Sequence, residues 1–444
     1  MKSVILLLSL FMLVLVVKAQ HEHHAVTDTM PSHHADSSME DMESSVLMTH
    51  AYSLNLPMNR NGSGTSWLPN YSPMYMYILG DSKQSVSIHG SLFVRYNDQD
   101  VFESGTRGAM KWDVVSMLMG MYNRRIGDKG LFNATVMISA DPIIMGGSGY
   151  PLQFQTGETY NGAKLVDRQH PHDFFSALSV GYTHAFNKDV DVSGYFGYPG
   201  EPALGPVAFM HRPSAMNNPN APLGHHWQDA THITYGVGTV GFRVRDVKLE
   251  GSLFTGQEPD ENRFDLDKAS FDSYSYRVSW NPTSAWALQF SQGFLKQPER
   301  LDSGLDVNRT TASATHSKNM RTLNWSQTFA WGMNHIVGQS RNQHSFLYEN
   351  NLQLRTQAIY IRYEFVNKSS EELNLESQFG ETTFDINALT LGYNRLLAPY
   401  APVDVSVGTQ VTFNFPPEEL KTIYGRCPIG LQVYLLIRPH RHKM

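Results

Sequence analysis

The sequence predicts an all-β fold, a transmembrane antiparallel up-and-down β-barrel of about 16 strands with long extracellular loops. Three observations predict it. Apolar and polar residues alternate in segment after segment of membrane-crossing length, the connections alternate between short and long, and Tyr, Trp and Phe gather near segment ends. Alternation with short turns on one side and long loops on the other is the plan of an outer-membrane barrel. Aromatic residues belong at membrane interfaces.

Val403–Asn414 carries the pattern most clearly. Val403, Val405, Val407, Thr409, Val411 and Phe413 share one face; Asp404, Ser406, Gly408, Gln410, Thr412 and Asn414 share the other. A period of two puts successive side chains on opposite faces of a strand. Sixteen segments read this way: 86–96, 111–122, 130–140, 173–184, 188–198, 231–243, 247–256, 270–281, 284–295, 309–316, 321–332, 343–354, 356–365, 385–396, 402–414 and 429–438. Neither Gly nor Pro marks the break near residue 355, and fourteen and eighteen strands are the alternatives. A soluble β-sandwich also alternates, but it rarely keeps segments this long. No repeat of fixed spacing points to a propeller.

The flanking segments have other characters. Residues 1–19 run from Lys2 through an apolar stretch to Ala19, the pattern of a secretory signal peptide with cleavage before Gln20. Residues 20–50 form a His/Met-rich tail too polar to fold alone, and 51–85 a Met- and aromatic-rich lead-in that either plugs the lumen from below or joins the wall. The barrel is expected over 86–438, followed by a basic tail, 439–444, which departs from the aromatic ending common among such barrels. Loss of Lys2 and Lys18 takes the net charge from -6 to -8, so nucleic acid is excluded as a partner. The single Cys427 leaves no intramolecular disulfide. The expected partners are outer-membrane lipid and small solutes or metal ions. A homo-oligomer fits porin practice, though no interface signature stands out.

A barrel of this size is too wide for wall side chains alone to fill. Arg95, Glu250, Arg362, Glu364, Gln410 and Asn414 fall on inward faces, which suits water and the passage of small hydrophilic solutes, with loops setting selectivity. The loops 141–172 and 199–230 are far longer than ordinary connections. Both are rich in Gly and Pro, and they are expected to fold inward as a constriction.

The first of these loops ends in DRQHPHD, residues 167–173. Pro171 drives His170 towards extended geometry, which sets His170 and His172 side by side. The second ends in HHWQDATH, with His225, His226, Asp229 and His232; Met210 and His211 lie in its middle. Imidazole suits copper and zinc, so His170, His172, Asp173, His225, His226 and Asp229 are candidate metal ligands if the loops meet. The plainer reading is a polar network in which Asp167, Arg168 and Asp173 pair and the histidines bond to carbonyls. Catalysis is a third reading, with Ser176 and Ser214 nearby but no nucleophile-elbow motif around either. A second candidate set is the tail, with His21, His23, His24, His33, His34, Met39 and Met42: His-rich tracts bind metals, and thioethers lean towards Cu(I).

SGTSWLP (63–69), DRQHPHD (167–173), GEPALGP with FMHR (200–212), APLGHHWQD (221–229), EPDENRFD (258–265) and RTTAS (309–313) together resemble an uncharacterised family of bacterial outer-membrane β-barrel proteins, of a Bacteroidetes- or Proteobacteria-like kind. The similarity runs from about residue 50 to 438. The resemblance implies outer-membrane location and a barrel, no established substrate, and a link to metal resistance. The expected function is that of a porin-like, non-enzymatic barrel that passes or handles small solutes, linked to copper or another soft metal. The rivals are a barrel enzyme acting on lipid or surface polymer, and a non-conducting structural or adhesive barrel.

Overall fold

A computed structural model describes residues 48–300, 304–400 and 403–442. Its strands, in chain order, are β1 Met76–Gly80, β2 Gln84–Asp98, β3 Met110–Ile126, β4 Gly130–Ile138, β5 Tyr150–Tyr160, β6 Ala163–Gln169, β7 Phe175–Asn187, β8 Val190–Gly197, β9 Val237–Val244, β10 Val247–Phe254, β11 Ser273–Thr283, β12 Trp286–Leu295, β13 Val307–Asn319, β14 Leu323–Ile336, β15 Asn342–Leu354, β16 Gln357–Ser369, β17 Thr383–Tyr400, β18 Val403–Phe415 and β19 Ile429–Pro439.

Sixteen of these, β2–β4 and β7–β19, pair antiparallel with their neighbours. The ring closes where β19 meets the upper half of β2, Leu431 opposite Asp98 and Ile437 opposite Leu92. Below that seam β1 occupies the same edge, with Ile78 opposite Ser87. Closure leaves no strand edge in lipid, the condition for a sheet to span a bilayer. The unmarked break is a turn at Arg355–Thr356, where β15 hands over to β16.

The alternation translates directly into faces. Leu249, Leu253, Phe290, Ile359, Val407 and Val433 are exposed towards lipid, whereas Arg95, Glu250, Arg362, Glu364, Gln410 and Asn414 are all buried in the lumen. Along β11 burial strictly alternates from Ser273 to Asn281. Trp280 and Trp286 flank the β11–β12 turn with their rings outward, as an interfacial girdle requires.

Several boundaries differ from expectation. The segment 231–243 becomes a strand only from Val237, so His232 sits in a loop. β13 and β17 extend past the expected 309–316 and 385–396. The first long loop contains a hairpin, β5–β6, that periodicity passed over. Its apolar side joins Tyr150, Leu152 and Phe154 to Leu223 and Trp227 of the other long loop and to Phe93 and Ile386 of the wall. The two loops and the barrel wall share this apolar core, so the loops fold inward against the wall. The C-terminal residues 440–442 also pack: His440 pairs with Asp404, and His442 donates its amide to the Met74 carbonyl at 2.8 Å.

Both inserts fill the lumen. From the short-turn side, the lead-in sends Arg60 to Asp246 (2.9 Å), Thr65 to Arg277 (2.9 Å) and the Leu68 carbonyl to Asn281 (2.9 Å). From the other side, loop 198–236 crosses to the far wall. Its Arg212 forks onto both oxygens of Glu349 at 2.8 and 3.1 Å, Asn217 donates to Asn351 at 2.9 Å, and Asn220 accepts from Arg95 at 2.6 Å. Forked Arg–carboxylate pairs are among the stronger polar contacts, and here they tie the loop to an inward wall that would otherwise hold unpaired charge.

Candidate metal centre

Loops 139–174 and 198–236 meet above the plug. In the first, the stretch after β6 runs extended through Pro171 and presents His170 and His172 with ring centroids 6.4 Å apart. In the second, a one-turn helix, His225–Gln228, carries two imidazoles, and the 3-10 turn Ala230–His232 adds a third. The five rings form a closed circuit. His172 to His232 is 5.6 Å, His232 to His225 is 5.2 Å, His225 to His226 is 5.3 Å, and His226 to His170 is 6.1 Å. All five are buried, and Phe209 packs against one side, 5.8 Å from His225 and 6.2 Å from His172.

Each Nδ1 is engaged from outside the circuit. His172 reaches Asp141 Oδ2 at 2.9 Å, His225 reaches Asp229 Oδ1 at 2.7 Å, His226 reaches Glu258 Oε1 at 3.1 Å, and His170 meets the Pro171 carbonyl at 3.2 Å with Glu158 Oε1 3.1 Å away. His232 Nδ1 meets the Asp229 carbonyl at 2.8 Å. Where Nδ1–H donates to such a partner, the Nε2 lone pair is left free to bind, the arrangement found behind metal-bound imidazoles. The Nε2 atoms of His170, His172, His226 and His232 are buried with no hydrogen-bond partner. No three of these histidines bring ring nitrogens within 4.8 Å of one another; among the described residues, Asp260, Asp265 and Asp267 are the group whose ligand atoms do.

The electrostatics favour the neutral ring at His170, His225 and His232. Burial, then Arg263, holds His170 well below its ordinary value, and burial drives His232 down to about 3. His225 is also lowered by burial, against the pull of Asp229. His226 goes the other way: burial opposes its charge, but the Glu258 carboxylate outweighs it and raises the imidazole, while His226 in turn holds buried Glu258 down. Burial lifts Asp173 to about 8 despite Arg263.

The backbone makes room for this. Gly157 has φ +108°, and a Cβ there would stand 2.3 Å from His226 Nε2. Only glycine takes that conformation readily while letting the hairpin lie against the imidazole.

The four expected histidines are brought together, and His232 joins them. Asp229 lies behind His225, with Oδ2 accepting from Arg212 at 2.8 Å and from the Phe209 amide at 3.0 Å. Asp173 faces Arg263 at 3.8 Å. Asp167, Arg168 and Asp173 do not pair with one another. Asp167 meets Arg107 and Tyr424, and Arg168 donates to the Ser148 and Gly149 carbonyls. Ser176 donates to the Asp173 carbonyl, and Ser214 to Glu349 and Thr328, away from the rings. His21, His23, His24, His33, His34, Met39 and Met42 lie outside the described residues. Asp141, Glu158 and Glu258 were not singled out from the sequence as part of a site; lone acids in three separate segments carry no local signal, although Glu258 opens EPDENRFD.

No family model and no curated protein matches this chain. Solved structures do. The OmpF complex with daunomycin from Salmonella typhi aligns with a TM-score of 0.52 at 9% identity, over 82% of this chain and 100% of that one. An anion-selective porin from Comamonas acidovorans aligns at 0.45 and 10% identity over 80% and 99%. OmpT, an outer membrane protein of Vibrio cholerae, aligns in a loop-deletion form at 0.44 and 8% over 80% and 99%. At these identities the first likeness establishes the fold, a porin-type barrel, and no more.

Proposed function

We propose that this chain is an outer-membrane barrel whose loops build a transition-metal centre, with copper(II) or zinc as the ion, and whose filled lumen makes it a handler of bound ions and not a general solute pore. One observation carries the reading: four buried Nε2 atoms without partners, in a circuit whose Nδ1 atoms are all engaged from outside. A buried polar atom left unsatisfied costs about 1–3 kcal/mol, and an ion at the centre satisfies several at once. Tetrahedral ligands about 2.1 Å from an ion stand about 3.4 Å apart, so the rings contract inward on loading.

The test is metal content and titration of detergent-purified protein beside the His170→Ala/His172→Ala variant, with barrel folding followed by heat-modified electrophoretic mobility. The expectation is one equivalent of Cu(II) or Zn(II) lost in the folded variant, and a Cu(II) spectrum with several equatorial nitrogens in the parent. Equal stoichiometry and affinity in the two proteins would remove the loop centre and leave the circuit as a hydrated polar knot.

A further inference from the structure

Below the histidine circuit the lumen changes character. Inward positions of such barrels are normally polar, yet β3 places Met117, Met119 and Met121 at three successive inward positions, all buried. Met210 of loop 198–236 packs against them. Beside them, His89 of β2 and His211 of the loop lie edge to face with centroids 5.5 Å apart, and neither imidazole makes a side-chain hydrogen bond among the described residues.

These side chains line a cavity of about 130 Å³. A smaller one of about 40 Å³ shares Met119, Met121 and His211 with it and reaches His232 of the loop circuit. In the other direction, Tyr75 and Arg438 line both the first cavity and a hollow of about 750 Å³ at the short-turn end. Methionine often fills irregular gaps in a core, but a packed core does not leave neighbouring cavities that share a lining of thioethers and imidazoles. Neutral thioether and imidazole ligands without a carboxylate among them select soft ions of low charge.

We propose that the Met/His cavity formed by His89, His211, Met117, Met119, Met121 and Met210 binds a soft monovalent cation, Cu(I), and lies between the loop circuit and the short-turn end of the lumen. Its ligands differ from those of the circuit, so either site stands without the other. Weak, exchangeable thioether ligands spaced along the lumen suit an ion that must also leave.

Ag(I), a redox-inert probe of the same class, tests it on the full chain. The Met117→Leu/Met119→Leu/Met121→Leu variant keeps volume nearly constant. It is expected to lose one Ag(I) equivalent, the parent's remaining equivalents and its Zn(II) binding being unchanged. Because that variant may be read only if it folds, the parent is also labelled with 13C at its methionine methyls. Ag(I) is expected to shift the resonances of Met117, Met119, Met121 and Met210. Lumen methyls that stay in place while Ag(I) binds elsewhere, or an unchanged stoichiometry in the folded variant, would overturn the proposal. Loss of Zn(II) binding in the His170→Ala/His172→Ala protein, with Ag(I) binding intact, keeps the two readings apart.

Discussion

Replacing Glu258 with Gln tests whether the carboxylates behind the circuit act on the rings. Gln keeps the size and an acceptor oxygen at the 3.1 Å contact with His226 Nδ1 and removes the charge. Outer partners of this kind typically change metal affinity 10–100-fold, which at 1.4 kcal/mol per decade is about 1.4–2.8 kcal/mol. The pH dependence gives a second signature. Glu258 raises His226 against burial, and an ion binds only the neutral ring, so in the parent affinity falls as pH drops through that raised value. In Glu258→Gln burial is left as the largest influence, His226 goes down, and proton competition starts at lower pH. The variant therefore has a lower plateau at neutral pH and an acid fall displaced downward. Competition titration of Zn(II) from pH 5 to 8 reads both, with His170→Ala/His172→Ala as the background for sites elsewhere. A variant with parental plateau and parental acid fall would refute the assignment of Glu258 to the centre.

Removing Arg212 by Ala leaves Asp229 without its cation and Glu349 with Arg362 alone at 2.8 Å; breaking a buried pair costs about 3–5 kcal/mol. Loop 198–236 should become cleavable by protease and single-channel conductance should rise, so protection and conductance at parental levels would contradict the plug. Burial pushes Asp229 up, but Arg212 and then His225 hold it well below the carboxylate range. That depressed value stabilises the seated loop above the unfolded aspartate value of about 3.9 and is lost as pH falls through the folded one. The loop should stay protected at pH 5 and open to pepsin only far below pH 4, and opening near pH 5 would count against it. Gly157→Ala should displace His226 and lower Zn(II) affinity at least tenfold in a folded barrel, measured by the same titration. On the lipid face, Phe290→Arg should cost about 2–4 kcal/mol at mid-membrane depth, read as a shift in the urea midpoint for refolding into vesicles.

The wall was legible from sequence because a strand between lipid and lumen exposes each residue to one of two solvents. Val403–Asn414 and the buried Arg95, Glu250 and Arg362 follow that rule without reference to distant residues. The β15–β16 turn at Arg355–Thr356 was readable by period alone. The hairpin β5–β6 was not: positive φ at Phe154, Glu158 and Asp167 and a shifted register break its alternation, and its faces are set by loop and wall.

The sequence by itself determined that this is a membrane barrel with two unusual loops and that His170, His172, His225 and His226 are candidates for one site, since residues two apart or adjacent in short motifs travel together. Inward folding of the two loops was also expected from sequence; tertiary structure alone decided which walls they meet, that His232 closes the circuit, and that Asp141, Glu158 and Glu258 stand behind it. It also decided that the methionines of β3 face a cavity with His89 and His211. His89 lies 28 positions from Met117 and 122 from His211, and they are brought together by the closed sheet and by the pairing of Arg212 and Asn220 with the opposite wall. No local period encodes such a meeting, because its energy lies in contacts between segments that approach only once the barrel has closed.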